Sequence, residues 1–275
     1  MGRSYNLRFI WMVSLVAAMG GLLFGYDWVV IGGAKPFYEP FFGLVGESTA
    51  WLSGWAMSSA LAGCLVGALL SGAITDRLGR KKILIGAAVL FTISAILTAL
   101  SQNFTAFIIA RIIGGIGIGL ASNVSPMYIA EIAPSEMRGK LVSINQLTIV
   151  IGVLAAQIVN LFIYRYAPVG SEATSTEILE SWSGQLGWRW MFAAETIPAG
   201  LFFLLALVVP ESPRWLIKQS RTKEARAILV KVGGEDYAAA ELADIGATLE
   251  GEQKAVHYSE LLQPRILKIL GLGIF

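Results

Sequence analysis

The chain has 275 residues, 55% of them hydrophobic and 15% charged, against about 25% charged in an ordinary soluble domain. Its mean hydropathy is +0.65 and the apolar residues gather in blocks, which excludes a soluble globular domain and points to an integral membrane protein. A net charge of +2 gives no pointer to nucleic acid, which is not expected as a partner, and one cysteine (Cys64) and one histidine (His257) leave no intrachain disulfide and no Cys/His metal cluster.

Six blocks are long enough to cross a bilayer as helices, which takes about 20 residues. They cover residues 7–33, 51–74, 83–101, 104–129, 141–164 and 188–209. The first is too long for the apolar stretch of a signal peptide and is read as a retained span. It contains Gly20-Gly21-Leu22-Leu23-Phe24-Gly25-Tyr26-Asp27, and so a carboxylate inside an apolar run. An ionised acid facing hydrocarbon costs at least roughly 2.5–3.5 kcal/mol, so Asp27 must face protein or water and find a partner.

The second and fourth blocks carry glycine and serine at helical spacing: Gly63, Gly67 and Ser71 in one, Gly114, Gly115, Gly117 and Gly119 in the other. Small residues four apart let helix backbones approach closely, whether for static packing or for helices that slide. Cys64, between two of them, reads as a small packing residue.

Lys and Arg collect in alternate connections. Fourteen lie on one side: Arg3 and Arg8 at the start of the first block, Arg77, Arg80, Lys81 and Lys82 between the second and third, Arg138 and Lys140 between the fourth and fifth, and Arg214, Lys218, Arg221, Lys223, Arg226 and Lys231 soon after the sixth. The other side holds Lys35, Arg165 and Arg189. The asymmetry predicts that the N-terminus and the segment after the sixth block are cytoplasmic.

Two more intramembrane charges appear: Arg111 in the fourth block and Glu195 in the sixth. Counted at 1.5 Å per residue from the outer ends of their blocks, Asp27, Arg111 and Glu195 all fall roughly 10 Å below one face. Two acids and a base at one level on three helices form a constellation of the kind that marks proton or ion pathways. A static buried ion pair that fixes packing is the alternative.

The fifth block places Gln146, Val150, Val153, Gln157 and Asn160 on one helical face. Amides both donate and accept hydrogen bonds and suit hydroxyl-rich ligands, while hydrogen bonds between neighbouring helices use the same groups. At the cytoplasmic ends, Asp76, Glu131 and Glu211 alternate with Arg77, Arg80, Arg138 and Arg214. Such a set could form a salt-bridge belt joining helix ends, each exposed pair worth about 0–1 kcal/mol.

Pro210 and Pro213 end the sixth block, and polar, amphipathic helices are predicted over 213–219, 222–232 and 236–251. A last apolar run, 266–275, is too short to span; it is either an interfacial piece or, the reading preferred, the start of a seventh span that is cut there. The organisation expected is thus a six-helix bundle over 1–209, a cytoplasmic linker over 210–265 and a truncated helix over 266–275. No nucleophile with its base and no phosphate-cradling loop is present, so an enzyme is not expected.

Residues 20–27, Asp76-Arg77-Leu78-Gly79-Arg80-Lys81, 111–117, 126–140, 188–195 and 210–215 together resemble the sugar porter family of the major facilitator superfamily, with the nearest likeness to bacterial proton/xylose symporters. The resemblance implies an all-α fold of two six-span halves, each a 3+3 inverted repeat, with the sugar bound between them. It implies proton-coupled monosaccharide symport by alternating access at the inner membrane, without a cofactor, and a C-terminal half that completes the site. By the same resemblance Asp27, Arg111 and Glu195 couple the proton, and Phe24 and Gln146 contact sugar, with Gln157 a weaker candidate. Asp76, Arg77, Gly79, Arg80, Glu131, Arg138, Glu211 and Arg214 match the cytoplasmic gate. Val153 stands where the xylose symporters carry a second sugar-binding glutamine, which leaves the sugar open. A facilitative uniporter and a non-transporting sugar sensor or scaffold are the other readings the sequence allows.

Overall fold

A computed structural model describes residues 5–170, 173–252, 263–264 and 266–268. Among the described residues ten α-helices follow in order: α1 Leu7–Phe41, α2 Ala50–Leu78, α3 Arg80–Leu100, α4 Phe104–Ile132, α5 Arg138–Tyr166, α6 Ser175–Glu180, α7 Trp188–Ala193, α8 Thr196–Val208, α9 Pro213–Lys218 and α10 Thr222–Glu252. Among the described residues six segments are long and apolar enough to cross a membrane: α1, α2 together with the short turn before it, α3, α4, α5, and Ser183–Val208, in which a π-turn, α7 and α8 run on from one another. These are the six predicted blocks.

The helix ends have local causes. Asn6 and Asn103 cap α1 and α4 by accepting from the N–H groups of Phe9 and Ala106 at 3.1 and 2.9 Å. Between α2 and α3 a single residue, Gly79, closes one helix and opens the next at φ +92°, a left-handed angle that glycine adopts without strain.

One boundary differs from expectation. The first block ends at residue 33 by hydropathy, whereas α1 continues through Pro36 and Pro40 to Phe41. A proline inside a helix removes one backbone bond, and burial of Phe37 and Tyr38 on the far side of Pro36 offsets that loss. Asp27 is therefore fourteen residues from the end of its helix, not six.

The helices pair in a swapped order. The most extensive contacts are α1 with α5 and α2 with α4, and α3 packs on α4 and α8. The first helix of each trio thus grips the second helix of the other, as a 3+3 repeat requires. Glycines set the distance. A Cβ on Gly63 or Gly67 would fall on the carbonyls of Ile112 or Ile116, and one on Gly115 or Gly119 on those of Ala60 or Cys64. Gly25 meets the Ile149 carbonyl, and Gly152 the Leu22 carbonyl, in the same manner. The small-residue stripes read from the second and fourth blocks face each other, with a matching pair between α1 and α5.

Beyond the sixth span, α9 and α10 lie at the end of the bundle that carries Arg80. Helix α10 covers two of the predicted amphipathic pieces and bends at Gly234, where φ is +84°. It is tied to the start of α1: the Asn6 N–H donates to the Val232 carbonyl at 2.8 Å, and the Tyr5 ring stands edge-on to Tyr237 at 5.6 Å. Of the run predicted over 266–275, Ile266, Leu267 and Lys268 are helical, and the rest lies outside the described residues, as does His257.

Candidate functional site

Helix α1 carries Asp27 into the bundle because Gly21 and Gly25 let it lie against α5, leaving its opposite face to α4 and α7. Asp27, Arg111 and Glu195 are 3%, 2% and 2% exposed. The Arg111 Nη1 donates to Asp27 Oδ1 in a buried ion pair between α1 and α4. Glu195 lies beside both, within hydrogen-bonding reach of Asp27. The Arg111 guanidinium also stands over the Phe192 ring, 5.4 Å from its centroid. Phe192, Phe107, Trp188, Phe42 and Tyr38 form a continuous aromatic cluster above the charges. It keeps water off one side, which strengthens every electrostatic interaction beneath it.

Charge bookkeeping defines what this arrangement can do. Two carboxylates and one guanidinium sum to −1 when all are ionised, and one bound proton brings the buried set to zero. Asp27 Oδ2 and Arg111 Nε have no hydrogen-bond partner among the described residues, so the set has room for a proton or a rearranged pair.

Glu195 stands three residues before Pro198, where the sixth span departs from regular helical bonding. Proline has no N–H, and the backbone of the sixth span loosens one turn earlier: Glu195 N–H bonds the Phe192 carbonyl at 3.1 Å and Ile197 N–H that of Ala194 at 3.2 Å, both three residues back instead of four. The regular helix is interrupted at Ala194 and Glu195.

Phe24 and Gln146 line one groove of about 480 Å³ between α1, α4 and α5, with Gly21, Ser122, Pro126, Asn145 and Ile149. Phe24 is one turn from Asp27 along α1, and Gln146 is eight residues inside α5, about 12 Å from its start. The structure does not bring Gln157 there. It is exposed, eleven residues further along α5. Asn160 takes the packing role: its Nδ2 donates to the Val30 carbonyl of α1 at 3.4 Å. Asn145 is buried in the groove wall, its Oδ1 without a hydrogen-bond partner among the described residues, and has no signal in the sequence that singles it out.

At the opposite end of the bundle, Arg80 grips Glu131 with two bonds of 2.8 Å, from Nε and Nη2, and stands 3.6 Å from Asp76. Asp76 also receives Lys218 at 3.1 Å, and its carbonyl accepts the Trp215 indole N–H at 3.0 Å. Asp76, Arg80, Glu131, Arg138 and Arg214 line one cavity of about 550 Å³, closed by Glu241 and Asp244 of α10. Arg77 is exposed, outside this cavity.

Glu211 corrects the sequence picture of an acid paired with arginines. Its Oε1 accepts the backbone N–H groups of Arg80, Lys81 and Ser212 at 2.8, 3.1 and 2.8 Å, and so caps the N-terminus of α3. A carboxylate is favoured there because the first N–H groups of a helix lack partners and carry its positive dipole end. Gly79 belongs to the same device, since a side chain on it would meet the Glu211 carboxylate. The pairing of residue 211 with the start of α3 has no local signal in the sequence.

Lysine cannot reproduce the two-pronged hold of arginine on a carboxylate. Arg80→Lys is expected to lower the melting temperature, measured by thermal unfolding in detergent. A variant that melts with the wild type would show that this pair does not hold the helix ends together.

The family model described as sugar (and other) transporter matches residues 13–274. The arabinose-proton symporter of Bacillus subtilis (strain 168) is 43% identical over 272 residues, which cover 99% of this chain and 55% of that protein. The D-xylose-proton symporter of Escherichia coli (strain K12) is 42% identical over 276 residues, 92% of this chain and 54% of the relative. Among solved structures, a proton:xylose symporter of the major facilitator superfamily superposes with a TM-score of 0.83 at 42% identity, covering 91% of this chain and 55% of that one. The chain thus spans about half the length of the relatives it matches, and these relatives are transporters, not enzymes.

Proposed function

The chain belongs to the sugar (and other) transporter family, and on that premise we propose that it supplies the first six-span half of a proton-coupled monosaccharide symporter. The observation that carries this reading is the buried set of Asp27, Arg111 and Glu195, whose excess negative charge one proton cancels. In the proposed cycle ionised Asp27 holds Arg111 and resists closure. A proton arriving from the outer side neutralises the acid and releases the guanidinium, and the carrier occludes around its sugar. The belt around Arg80, Glu131 and Glu211 then parts, and sugar and proton leave inward.

The reading places the basic end of the bundle, with α9 and α10, in the cytoplasm and the protein in the cytoplasmic membrane of the cell, because positive loops stay on that side. Sugar sits between the groove of Phe24 and Gln146 and a second six-span half that follows in the complete carrier. Sequential domains 1–209, 210–265 and 266–275 act as bundle, linker and start of that second half.

Two relatives carry arabinose and xylose in their names, so these pentoses and glucose are the first probes. In vesicles holding the complete carrier, one of them is expected to accumulate against its gradient and to leak back to equilibrium when a protonophore is added. Uptake that only equilibrates, and that the protonophore leaves unchanged, would mark a uniporter.

A further inference from the structure

The loosened turn that presents Glu195 leaves a backbone acceptor free. In a regular helix the Met191 carbonyl would accept from the N–H four residues on, that of Glu195. Here the Glu195 N–H turns to Phe192. The Met191 carbonyl instead accepts the hydroxyl of Tyr26 at 3.1 Å, a buried bond between α1 and α7. Tyr26 is 2% exposed and immediately precedes Asp27. Neighbours in a helix move as one body, so the bond that tethers Tyr26 to the Glu195 turn also fixes the distance between the two acids.

We infer that Tyr26 is a positioning residue for proton coupling: its hydroxyl takes the place of the missing helical bond at Met191 and holds Glu195 against Asp27. The inference rests on the coupling role proposed for those acids. The charged and titratable groups facing the tyrosine are Asp27 on its own helix, Arg111 from α4 and Glu195 at the break between α7 and α8. An unmade bond here is costly on both sides, because a buried carbonyl loses its donor in a medium without water. With the tether cut, Glu195 is free to swing from Asp27, and the charge that one proton cancels is no longer concentrated at one point.

Tyr26→Phe deletes the hydroxyl and keeps the ring. In the complete carrier the ratio of sugar accumulated to sugar exchanged is expected to fall several-fold, and the pH profile of uptake to shift. Combined with Asp27→Asn, it should add nothing further, because a residue acting through the pair has no effect once the pair is gone. Pro198→Ala restores the missing N–H at the loosened turn and is expected to move the pH profile as well, so the idea does not hang on the folding of one variant. A wild-type pH profile in both variants would overturn the tether, as would additive losses in the double variant. If wild type accumulates sugar and Asp27→Asn does not, the coupling reading stands whatever Tyr26→Phe does; if wild type fails to accumulate, the coupling reading itself has failed.

Discussion

Asp27→Asn is expected to abolish accumulation of sugar while leaving exchange of labelled for unlabelled sugar intact. Asparagine keeps the volume and an oxygen for Arg111 Nη1, but it cannot ionise. The buried set then carries Arg111 and Glu195 alone, a sum of zero, which is the charge of the protonated wild-type site. Magnitudes make the switch workable. Breaking a buried pair by removing one charge costs about 3–5 kcal/mol. Moving one elementary charge through the membrane potential supplies about 2.3 kcal/mol per 100 mV. In the cycle proposed above, such a pair would hold the unprotonated carrier, and the energy of an entering proton is of the order needed to release it. The check is concentrative uptake alongside counterflow in the same vesicles. Undiminished accumulation would take Asp27 out of coupling, and loss of counterflow as well would make it a packing residue.

The second large effect is on assembly. Gly152→Leu is expected to deplete the folded carrier, because the Cβ at that position falls on the Leu22 carbonyl of α1 and the obstacle is backbone, which cannot turn aside. Overpacking among side chains already costs about 1–3 kcal/mol. Here α5 must leave α1 altogether, and with it the groove between Gln146 and Phe24 opens. Gly86 is the control, since nothing lies within 4 Å of a Cβ there. The yield of monodisperse protein and its melting temperature, compared for Gly152→Leu and Gly86→Leu, give the readout. Equal behaviour of the two would show that the α1–α5 contact does not set the fold.

Much of this architecture is written locally. A charge in an apolar run is conspicuous because hydrocarbon penalises it, so Asp27, Arg111 and Glu195 are legible from hydropathy alone. The span boundaries followed from hydropathy wherever a polar loop intervened. They failed at Pro36 and Pro40, where aromatic packing by Phe37 and Tyr38 overrides the helix-breaking tendency of proline. What remained hidden depends on two distant segments meeting. Glu211 caps α3 only because α8 returns to that end of the bundle. The Tyr26 bond exists only where Met191, on another helix, keeps its carbonyl clear of the Glu195 N–H, which bonds Phe192. The amide face of α5 shows the limit of periodicity: Gln146 reaches the groove, Gln157 stays exposed and Asn160 packs on α1. Spacing places residues on a face but not against a neighbour.

The most direct test of the central claim is proton movement triggered by sugar. Vesicles containing the complete carrier, lightly buffered and without an imposed gradient, are given a transported pentose while the external pH is recorded. The account predicts that the medium turns alkaline as sugar enters, and that Asp27→Asn vesicles take up sugar with no pH change. Sugar entry without alkalinisation in the wild type, or equal alkalinisation in the variant, would contradict it.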